Sequence, residues 1–508
     1  MSTHSLQGAS VLVVGAGIMG MGIAQVAAQA GHRVRLYDAR EGEAQQSLRK
    51  LGAALDALVA KRKFSAEEAQ ALLARIEPVD TLERFSETRL VVEAIVEDLE
   101  AKQALFRQLE GLVAAECVLA TNTSSISVTA IANGLEHPSR LVGMHFFNPV
   151  PQMKLVEVVS GLHTDAEIAA AIFDLSRAWG KSPVHARSTP GFIVNRIARP
   201  FYAETLALLL EQAATPQVLD ACLRAAGFRM GPCELMDLIG HDTNFAVTQS
   251  VYRANFFDKR FVPSLVQREM VDGGFLGRKS GRGFYRYPDG TPPLPVAVHE
   301  APSTAGEVTV HGVGVIADYL DLAATRALAP QGWGPARVHD SGWTGLAIDG
   351  ARLVLTDGRS AAQVAADFGI AELAVFDRLP TVPTAAGTAL AFALAPAASP
   401  AWRSQAAAWL AALGFAPLRI ADAPGLVVAR TVAMLINEAA DAVQQGVCTP
   451  EGADAAMKLG VNYPAGPFEW LQGWSAAGAI GVLDALDAHY RGERYRASPW
   501  LHRAASSS

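Results

Sequence analysis

The sequence predicts an α/β fold followed by an all-helical region, and then a degenerate second copy of both. Short β-branched runs alternate with long amphipathic stretches up to about residue 190. Apolar residues then recur at helical spacing, and one helical motif occurs twice. With 508 residues, 50% of them apolar and 18% charged, each domain can bury a core, which excludes disorder as the main state.

Composition and charge exclude several classes of protein. Lys and Arg number 43 against 50 Asp and Glu, a net charge of -7, so nothing global favours binding to nucleic acid or an anionic membrane. The 4 cysteines form no CxxC pair and lie near no His at ligand spacing, which predicts no metal or disulfide framework and favours the cytoplasm. Residues 11–31 are uncharged, but glycines interrupt them and no basic residue precedes them, so we expect no membrane span.

Residues 1–188 are predicted to form one α/β domain. Apolar and β-branched runs predict strands at 11–14, 33–36, 90–92, 118–119, 141–142 and 155–159. Amphipathic stretches of helical length separate these runs, which is the pattern of a parallel sheet whose strands are joined by crossover helices.

The rest of the chain divides into five predicted segments. The pattern changes near Pro190, where helical spacing begins. We predict a helical domain at 189–287, a linker at 288–304, a second, degenerate α/β-like region at 305–421, a second helical domain at 422–500 and a disordered Ser-rich tail at 501–508.

A repeat relates the two helical domains. The octapeptide Thr189–Arg196 recurs as Ala423–Arg430, and a glutamate follows each at the same distance. Asn195 of the first copy is replaced by Ala429 in the second. Further upstream, Val308–Asp318 echoes the first strand and glycine turn of the N-terminal domain.

A glycine-rich turn follows the first predicted strand and opens a helix. Gly15, Gly17 and Gly20 form the pattern GxGxxG, in which backbone N–H groups and the helix N-terminus can bind a pyrophosphate. Asp38 ends the next strand, where a carboxylate accepts hydrogen bonds from the adenosine ribose and repels a 2′-phosphate. This context favours a Rossmann-like domain that binds NAD, although Arg40 weakens the argument against NADP. The alternatives are a turn without a ligand and a solvated Asp38.

Polar residues follow predicted strands at the edge where a doubly wound sheet binds its ligands: Glu97, Ser124 with Ser125, and His145. A neutral imidazole is well suited to take the hydroxyl proton of an alcohol as hydride leaves the carbon. Glu157, on the next predicted strand, is the nearest candidate to stabilise the imidazolium. The alternative is a core histidine whose hydrogen bonds are satisfied.

Four motifs resemble those of the L-3-hydroxyacyl-CoA dehydrogenases. They are Asn122–Ser125, Gly143–Pro149, Lys154–Glu157 and Pro190–Arg196, and the resemblance covers about residues 1–287. It implies NAD-dependent oxidation of an L-3-hydroxyacyl-CoA to the 3-oxoacyl-CoA, with 3-hydroxyadipyl-CoA or 3-hydroxybutyryl-CoA as expected substrate, in the breakdown of phenylacetate or fatty acids. It also implies a helical domain like that of 6-phosphogluconate dehydrogenase after the Rossmann-like one.

The resemblance implies a role for each matching residue. His145 would be the general base and Glu157 its orienting partner, with Ser124 at the reacting oxygen and Asn195 at the bound substrate. The implied contacts with NAD are Gly15, Gly17, Ile18, Met19, Gly20, Asp38, Glu97, Lys102, Ser124, Asn148 and Lys279. No metal is implied.

The CoA moiety carries several negative charges, which an acidic chain must meet locally. Lys61, Arg62 and Lys63 follow an amphipathic helix and resemble the basic segment that the family uses for CoA. Ser124 is also implied to contact the substrate. As a charge run alone, the three basic residues would more often be a solvated face.

Arg199 is a candidate for the far end of the substrate. It lies one helical turn beyond Asn195, on the same predicted face, and could pair with the terminal carboxylate of an adipyl chain. The alternative is an ion pair with Glu204 or another surface acid.

Two other functions compete with this interpretation. A 3-hydroxyacid dehydrogenase of the hydroxyisobutyrate type shares the glycine pattern but usually employs a lysine base, and His145 argues against it. An NAD-binding structural protein without turnover, like the crystallin relatives of the family, is disfavoured by the complete set of polar site residues. The second half, which has no His-Phe-Phe-Asn sequence, is predicted to be scaffold that pairs the helical domains within the chain or forms a homo-oligomer, a dimer or trimer.

Overall fold

The computed structural model describes residues 6–83, 85–294, 299–378 and 387–506. They form two compact units. The first contains the chain up to residue 196 together with 445–462, and the second contains 197–444 together with the chain from 463 onward. The segment 445–462, which the sequence places in the second helical domain, therefore belongs to the first unit. Residues 295–298 of the predicted linker lie outside the described residues.

Strands and helices alternate along most of the chain. The strands are β1 (Ser10–Val14), β2 (Val34–Tyr37), β3 (Ile76–Val79), β4 (Thr88–Glu93), β5 (Val118–Thr121), β6 (Leu141–Phe146), β7 (Leu155–Ser160), β8 (Ser182–Arg187), β9 (Val308–His311), β10 (Ala336–Val338), β11 (Gly345–Ile348), β12 (Ala351–Leu355), β13 (Leu373–Phe376), β14 (Thr388–Leu394) and β15 (Phe415–Arg419). The helices are α1 (Ile18–Gln29), α2 (Glu43–Ala60), α3 (Ala66–Leu73), α4 (Leu99–Glu110), α5 (Val128–Ala132), α6 (Ala166–Ala178), α7 (Val194–Ile197), α8 (Arg199–Leu210), α9 (Pro216–Ala225), α10 (Pro232–Ile239), α11 (His241–Ala254), α12 (Leu265–Asp272), α13 (Val315–Leu328), α14 (Ala361–Phe368), α15 (Pro400–Ala412), α16 (Val428–Gln444), α17 (Pro450–Val461), α18 (Pro467–Trp474), α19 (Ala476–Tyr490) and α20 (Pro499–Ser506).

The sheet of the first unit has the strand order β3-β2-β1-β4-β5-β6-β7-β8. The predicted strands are present, and β3 and β8 add to them. Neighbouring strands run parallel, except that β7 runs antiparallel to β6. The predicted parallel sheet is confirmed except at β7, where the loop 147–154 is shorter than the roughly dozen residues that a crossover needs.

The uncharged stretch 11–31 forms most of β1, the glycine turn and all of α1. Both elements are largely buried, with Val11, Val13 and Ile23 in the core of the first sheet. Among the described residues, no helix combines the length and the apolar character that a membrane crossing requires.

The sheet of the second unit has the order β10-β9-β11-β12-β13-β14-β15. It is mixed, because β11 runs antiparallel to both β9 and β12, and β14 runs antiparallel to β13. β9, a glycine turn and α13 repeat the strand–turn–helix arrangement that the sequence predicts from Val308–Asp318.

The two helical copies pack on each other within the second unit, where α8 lies against α16. Buried glutamates of each copy form ion pairs with arginines of the other copy. Glu204 of the first copy accepts hydrogen bonds from Arg494 at 2.7 Å and from Arg430 at 3.0 Å. Glu438, its counterpart in the repeat, accepts from Arg260 at 3.5 Å. The arrangement is that of two related domains that face each other inside one chain.

The predicted disordered tail is wrong over 501–506, because these residues belong to α20. Leu501 is buried, and α20 packs on α16 and α19. Packing against distant helices orders the segment, and its Ser-rich composition gives no sign of those partners. Residues 507–508 lie outside the described part of the chain.

Candidate active site

In the glycine turn between β1 and α1, backbone carbonyl oxygens lie so close to two of the glycines that a side chain would not fit. At Gly15 φ is +103°, and a Cβ there would lie 2.4 Å from the carbonyl oxygen of Ala94. A Cβ at Gly20 would lie 1.7 Å from the carbonyl oxygen of Gly15. Gly17 differs, since no described neighbour lies within 4 Å of a Cβ there and no described side chain caps the helix. The first N–H groups of α1 therefore suit an anion, and the pyrophosphate of a dinucleotide fits.

Asp38 follows β2 and is bound to the glycine turn. Its Oδ2 accepts a hydrogen bond from the N–H of Ala16 at 2.8 Å, and its Oδ1 accepts from the N–H of Arg40 at 2.9 Å. Burial raises the pKa of Asp38, but these hydrogen bonds and the charge of Arg40 outweigh it and hold the pKa below its usual value. An ionised carboxylate here accepts from ribose hydroxyls and repels a 2′-phosphate, so the site fits NAD.

A buried network lies at the carboxyl ends of β4 and β5, and the sequence analysis missed its central residue, Glu93. Glu93 Oε1 accepts from Lys102 Nζ at 2.5 Å, and Oε2 accepts from Thr121 Oγ1 at 2.7 Å. Lys102 Nζ also lies 3.4 Å from Glu97 Oε2. The Lys102 side chain is only 1% exposed, and its ammonium group forms ion pairs with these two carboxylates. Its contact with NAD stays a prediction. An acid that ends a buried strand is the signal that could have found Glu93.

Glu97 organises the turn that follows β5. Its Oε1 accepts from the N–H of Ser124 at 2.8 Å and from Thr123 Oγ1 at 2.7 Å. Burial raises the pKa of Glu97, but the charge of Lys102 and these hydrogen bonds outweigh it and lower the pKa. The same turn meets Asn195, whose Nδ2 donates to the carbonyl oxygen of Ser124 at 3.4 Å. The structure thus brings together Glu97, Ser124 and Asn195.

His145 and Glu157 form a buried pair across β6 and β7, where they are direct partners in the strand register. His145 Nδ1 lies 2.6 Å from Glu157 Oε2. Glu157 Oε1 accepts from the N–H groups of Ile193 and Val194, both at 3.0 Å. These two N–H groups lie at the start of α7 and favour an ionised carboxylate. An ionised Glu157 can only accept, so Nδ1 carries the proton and Nε2 is left as the basic nitrogen.

Aromatic rings surround the imidazole. The His145 ring centre lies 4.5 Å from that of Phe147 and 5.9 Å from that of Phe192. His145 is 6% exposed. A water-poor setting would strengthen the interaction of an imidazolium with its carboxylate, and a proton-transfer role for His145 stays a prediction.

A cavity of about 360 Å³ opens beside the glycine turn. Its lining includes Gly17, Ile18, Lys50 and Asn148. Ile18 is 78% exposed, whereas Met19 is half-buried and packs against the core of the sheet. The structure therefore gathers Asn148 with the predicted cofactor-binding turn.

The predicted CoA segment and Lys279 are less closely tied to the site. Lys61, Arg62 and Lys63 are exposed residues between α2 and α3. Lys279 lies in the second unit, with its Nζ 2.6 Å from Asp242 Oδ1. Contacts of these basic residues with ligands stay predictions.

Arg199 is buried in the second unit. Its Nη1 donates to Thr248 Oγ1 at 3.1 Å, and its guanidinium lies over the ring of Tyr202. Asn195 lies in α7, which ends at Ile197, and Arg199 begins α8, so the shared helix face stays a prediction. An ion pair with Glu204 is also wrong, since the Glu204 carboxylate binds Arg430 and Arg494.

A cavity of about 150 Å³ borders Arg199. Besides Arg199 and Tyr202, its lining includes Leu206, Phe261 and Leu265. A guanidinium at an apolar cavity can hold a carboxylate whose carbon chain packs on the walls.

The second copy has other residues at the positions of the His145–Glu157 pair, which we call the dyad. The repeat aligns β14 and β15 with β7 and β8, so Ala391 stands at the place of Glu157. The N–H of Asp377 donates to the carbonyl oxygen of Ala391 at 2.9 Å, which sets Asp377 at the place of His145. The Asp377 carboxylate accepts from the N–H groups of residues 427–429 and so anchors the start of α16. With Ala429 at the place of Asn195, the second copy keeps the scaffold but not the polar groups.

Metal-binding clusters were sought across the same residues. In the part of the chain that the structure describes, no three His, Cys, Asp or Glu side chains converge to hold an ion. The four cysteines are free thiols, and three of them are buried.

Comparison with known families matches most of the chain. "3-hydroxyacyl-CoA dehydrogenase, NAD binding domain" matches residues 10–189. "3-hydroxyacyl-CoA dehydrogenase, C-terminal domain" matches 191–287 and again 425–508, and "3-hydroxybutyryl-CoA dehydrogenase reduced Rossmann-fold domain" matches 353–424. These matches confirm the predicted fold class, its repeat and the NAD cofactor.

Individual relatives agree with the family matches. The chain is 42% identical to the 3-hydroxyadipyl-CoA dehydrogenase of Escherichia coli (strain K12) over 98% of its own length and 97% of the relative. It is 39% identical to a probable 3-hydroxybutyryl-CoA dehydrogenase of Bacillus subtilis, over 55% of this chain and 98% of that one. The crystal structure of a 3-hydroxybutyryl-CoA dehydrogenase from Escherichia coli K12 superposes with a TM-score of 0.87 at 41% identity and covers 98% of each chain. The predicted enzyme class is confirmed, and the chain belongs to the 3-hydroxyacyl-CoA dehydrogenase family.

Proposed function

We propose that this chain oxidises L-3-hydroxyacyl-CoA thioesters to 3-oxoacyl-CoA with NAD⁺, and that the His145–Glu157 pair carries the proton transfer. One observation carries the proposal: Nδ1 lies 2.6 Å from a carboxylate whose other oxygen accepts two backbone N–H groups. That geometry fixes the ring and leaves Nε2 as the basic atom.

The proton and the hydride of the substrate go to different acceptors. NAD⁺, when bound, accepts the hydride from C3 of the substrate. His145 Nε2 takes the proton of the C3 hydroxyl, and the nearby carboxylate of Glu157 stabilises the resulting imidazolium. In the reverse direction the imidazolium returns the proton to the carbonyl oxygen.

The remaining polar residues position the reactants. Ser124 and Asn195 orient the hydroxyl and the thioester carbonyl, a role supported by their mutual contact at 3.4 Å. Asp38 and the glycine turn hold the cofactor, with Ile18 and Met19 in the turn. Glu97, Lys102, Asn148 and Lys279 are assigned to the cofactor by family resemblance, and Lys61, Arg62 and Lys63 to CoA.

The reaction is tested by following NADH absorbance with L-3-hydroxybutyryl-CoA, its D-enantiomer, and NAD⁺ or NADP⁺. We expect turnover of the L-enantiomer with NAD⁺. Failure to oxidise any L-3-hydroxyacyl-CoA would contradict the proposal, and turnover of free 3-hydroxyisobutyrate instead would favour the hydroxyisobutyrate-type alternative.

We propose further that the substrate is a dicarboxylic acyl-CoA such as 3-hydroxyadipyl-CoA and that Arg199 binds its free carboxylate. The similarity over the full length to an enzyme of that name supports this, as does the apolar cavity beside the buried guanidinium. The relatives named for 3-hydroxybutyryl-CoA support the shorter substrate as the second candidate.

Arg199→Met tests the carboxylate contact in the reductive direction. We expect kcat/KM for 3-oxoadipyl-CoA to fall by about tenfold or more, while that for acetoacetyl-CoA stays within about threefold, because only the former has a carboxylate to lose. Arg268→Met, at an exposed arginine paired with Asp272, is the matched control. Equal losses for both substrates would refute the role of Arg199.

The location and the assembly stay proposals: a cytoplasmic protein that forms a homo-oligomer or relies on the pairing of its helical copies within one chain.

A further inference from the structure

The segment 445–462 belongs to the second helical copy by sequence but to the first compact unit by structure. It comprises α17 and the loop before it, and α17 packs on β7 and β8. The loop is fixed at two points. The carbonyl oxygen of Val447 accepts from the N–H of Arg187 at 2.9 Å, and Gln445 Oε1 accepts from Arg196 Nη1 at 2.8 Å.

Gly460 marks the place where α17 comes closest to the site. A Cβ there would lie 2.6 Å from Leu155 Cδ2, 3.1 Å from Val194 Cγ2 and 3.8 Å from the ring of Phe147. A side chain cannot occupy this space unless its neighbours move, because a separation under 3.0 Å is below any ordinary contact. A Cβ at this position would therefore displace the end of the Leu155 side chain and press on Val194, while the Phe147 ring would be in ordinary contact.

Each of these three neighbours is joined to the dyad. Leu155 lies two residues before Glu157 and so on the same face of β7. The N–H of Val194 donates to Glu157 Oε1 at 3.0 Å. The ring of Phe147 lies 4.5 Å from the ring of His145. A shift at Gly460 therefore reaches both members of the pair.

We propose that Gly460 is a positioning residue for the His145–Glu157 pair: the close seat of α17 holds the three neighbours in place and thereby fixes the carboxylate and the imidazole ring. The second copy, which has no dyad of its own, thus completes the site of the first. The related helix α9 of the first copy packs in the same way on β14 of the other sheet, so the contact is a built feature of the repeat. This inference rests on the proposed function of the pair.

Gly460→Ala in the full-length chain tests the proposal. We expect kcat to fall by about tenfold or more, because a small misplacement of catalytic groups is costly, while KM for NAD⁺ stays within about twofold. Gly481→Ala is the matched control, since this glycine lies in α19 with no described neighbour within 4 Å of a Cβ. The control should keep the activity of the parent.

A double-mutant cycle separates positioning from general damage. If Gly460 acts through Glu157, then Gly460→Ala should lower kcat by less than about twofold in a Glu157→Gln background, where the carboxylate to be positioned is already gone. A merely structural loss would appear equally in both backgrounds, and that result would overturn the inference.

Relief of the crowding gives a second test and covers poor folding of the single variant. Leu155→Val removes the Cδ2 atom, so we expect Leu155→Val with Gly460→Ala to regain most of the lost kcat. Wild-type kcat in Gly460→Ala, or no recovery in the double variant, would overturn the inference. If either of these results is found while His145→Asn is inactive, only the role of Gly460 is refuted and the proposed function is retained. An active His145→Asn would refute the proposed function itself.

Discussion

Glu157 serves two parts of the site at once. One oxygen binds His145 and the other accepts the N–H groups that begin α7, so strand pairing and the helix start fix the same carboxylate. In the second copy, Asp377 keeps the helix-anchoring half of this arrangement while Ala391 stands where Glu157 would be. The comparison separates the structural role of the carboxylate, which anchors a helix, from the proton-transfer role proposed for Glu157.

Glu157→Gln removes the charge and keeps the shape. We expect kcat to fall by about 10- to 100-fold, because the imidazolium loses its counter-charge, with little change in NADH affinity. Glu116→Gln, at an exposed acid before β5, is the control. A kcat equal to that of the parent would mean that Glu157 only anchors α7.

Asp38→Ala tests cofactor selectivity. The carboxylate is held ionised by the N–H groups of Ala16 and Arg40, so its loss should lower kcat/KM for NAD⁺ by about tenfold and weaken the discrimination against NADP⁺. Steady-state kinetics with both cofactors give the ratio. Unchanged discrimination would contradict the assignment.

At the residue scale, strand position was sufficient to make His145, Glu157 and Ser124 candidates, whereas Asn195 became one only through the family resemblance. Glu93 was missed although it ends a buried strand, because the sequence does not show that Lys102 of α4 pairs with it. The family resemblance assigned the polar residues, but it could not show that Lys102 is buried between two acids.

At the scale of elements, two glycines in the turn between β1 and α1 are needed for different reasons, Gly20 for the fold and Gly17 for cofactor binding. Gly20→Ala should destabilise the fold, because its Cβ would meet the Gly15 carbonyl oxygen at 1.7 Å. Gly17→Ala meets no described neighbour within 4 Å, so it should leave the unfolding temperature unchanged and weaken NADH binding by about tenfold by crowding the pyrophosphate. Thermal unfolding and NADH titration of both variants check this, and equal affinity in Gly17→Ala would contradict the pyrophosphate site.

Hydrophobic periodicity predicted which segments are helices and which are strands. It did not predict the direction of every strand or that the C-terminal segment is ordered. The reversal at β7 depends on the short connection after β6, and α20 forms because Leu501 finds a buried place among distant helices. Neither feature has a signal in hydrophobic spacing alone.

For the whole molecule, the buried ion pairs between helical copies predict a dependence on acid. Burial would raise the pKa of Glu204, but Arg494 and Arg430 outweigh it and lower the pKa. A carboxylate with a lowered folded pKa adds stability above its unfolded value of about 4.3, and that stability is lost as the pH falls through the folded pKa.

Glu204→Gln should therefore cost about 3 kcal/mol at neutral pH, because it leaves the buried guanidinium of Arg430 and the partly buried one of Arg494 without their carboxylate. It should also flatten the loss of stability below about pH 4. Chemical unfolding across pH measures both effects. Glu493→Gln, an exposed acid in the neighbouring turn, is the control. An acid transition identical to that of the parent would show that the network does not link the copies.

The repeat itself was predictable from two octapeptides, whereas the predicted domain boundaries stay predictions. The membership of 445–462 in the first unit was not predictable, because it depends on contacts with Arg187 and Arg196, more than two hundred residues away in the chain. The second copy is therefore more than a separate scaffold, since one of its helices lies against the strand that carries Glu157.

The central claim is that His145 carries out the proton transfer. Turnover of L-3-hydroxybutyryl-CoA and NADH affinity should be measured together on His145→Asn, with His163→Asn, an exposed histidine in the loop after β7, as control. The account predicts a kcat at least about 100-fold lower with unchanged NADH binding, and a control like the parent. Turnover of His145→Asn within about threefold of the parent would contradict it.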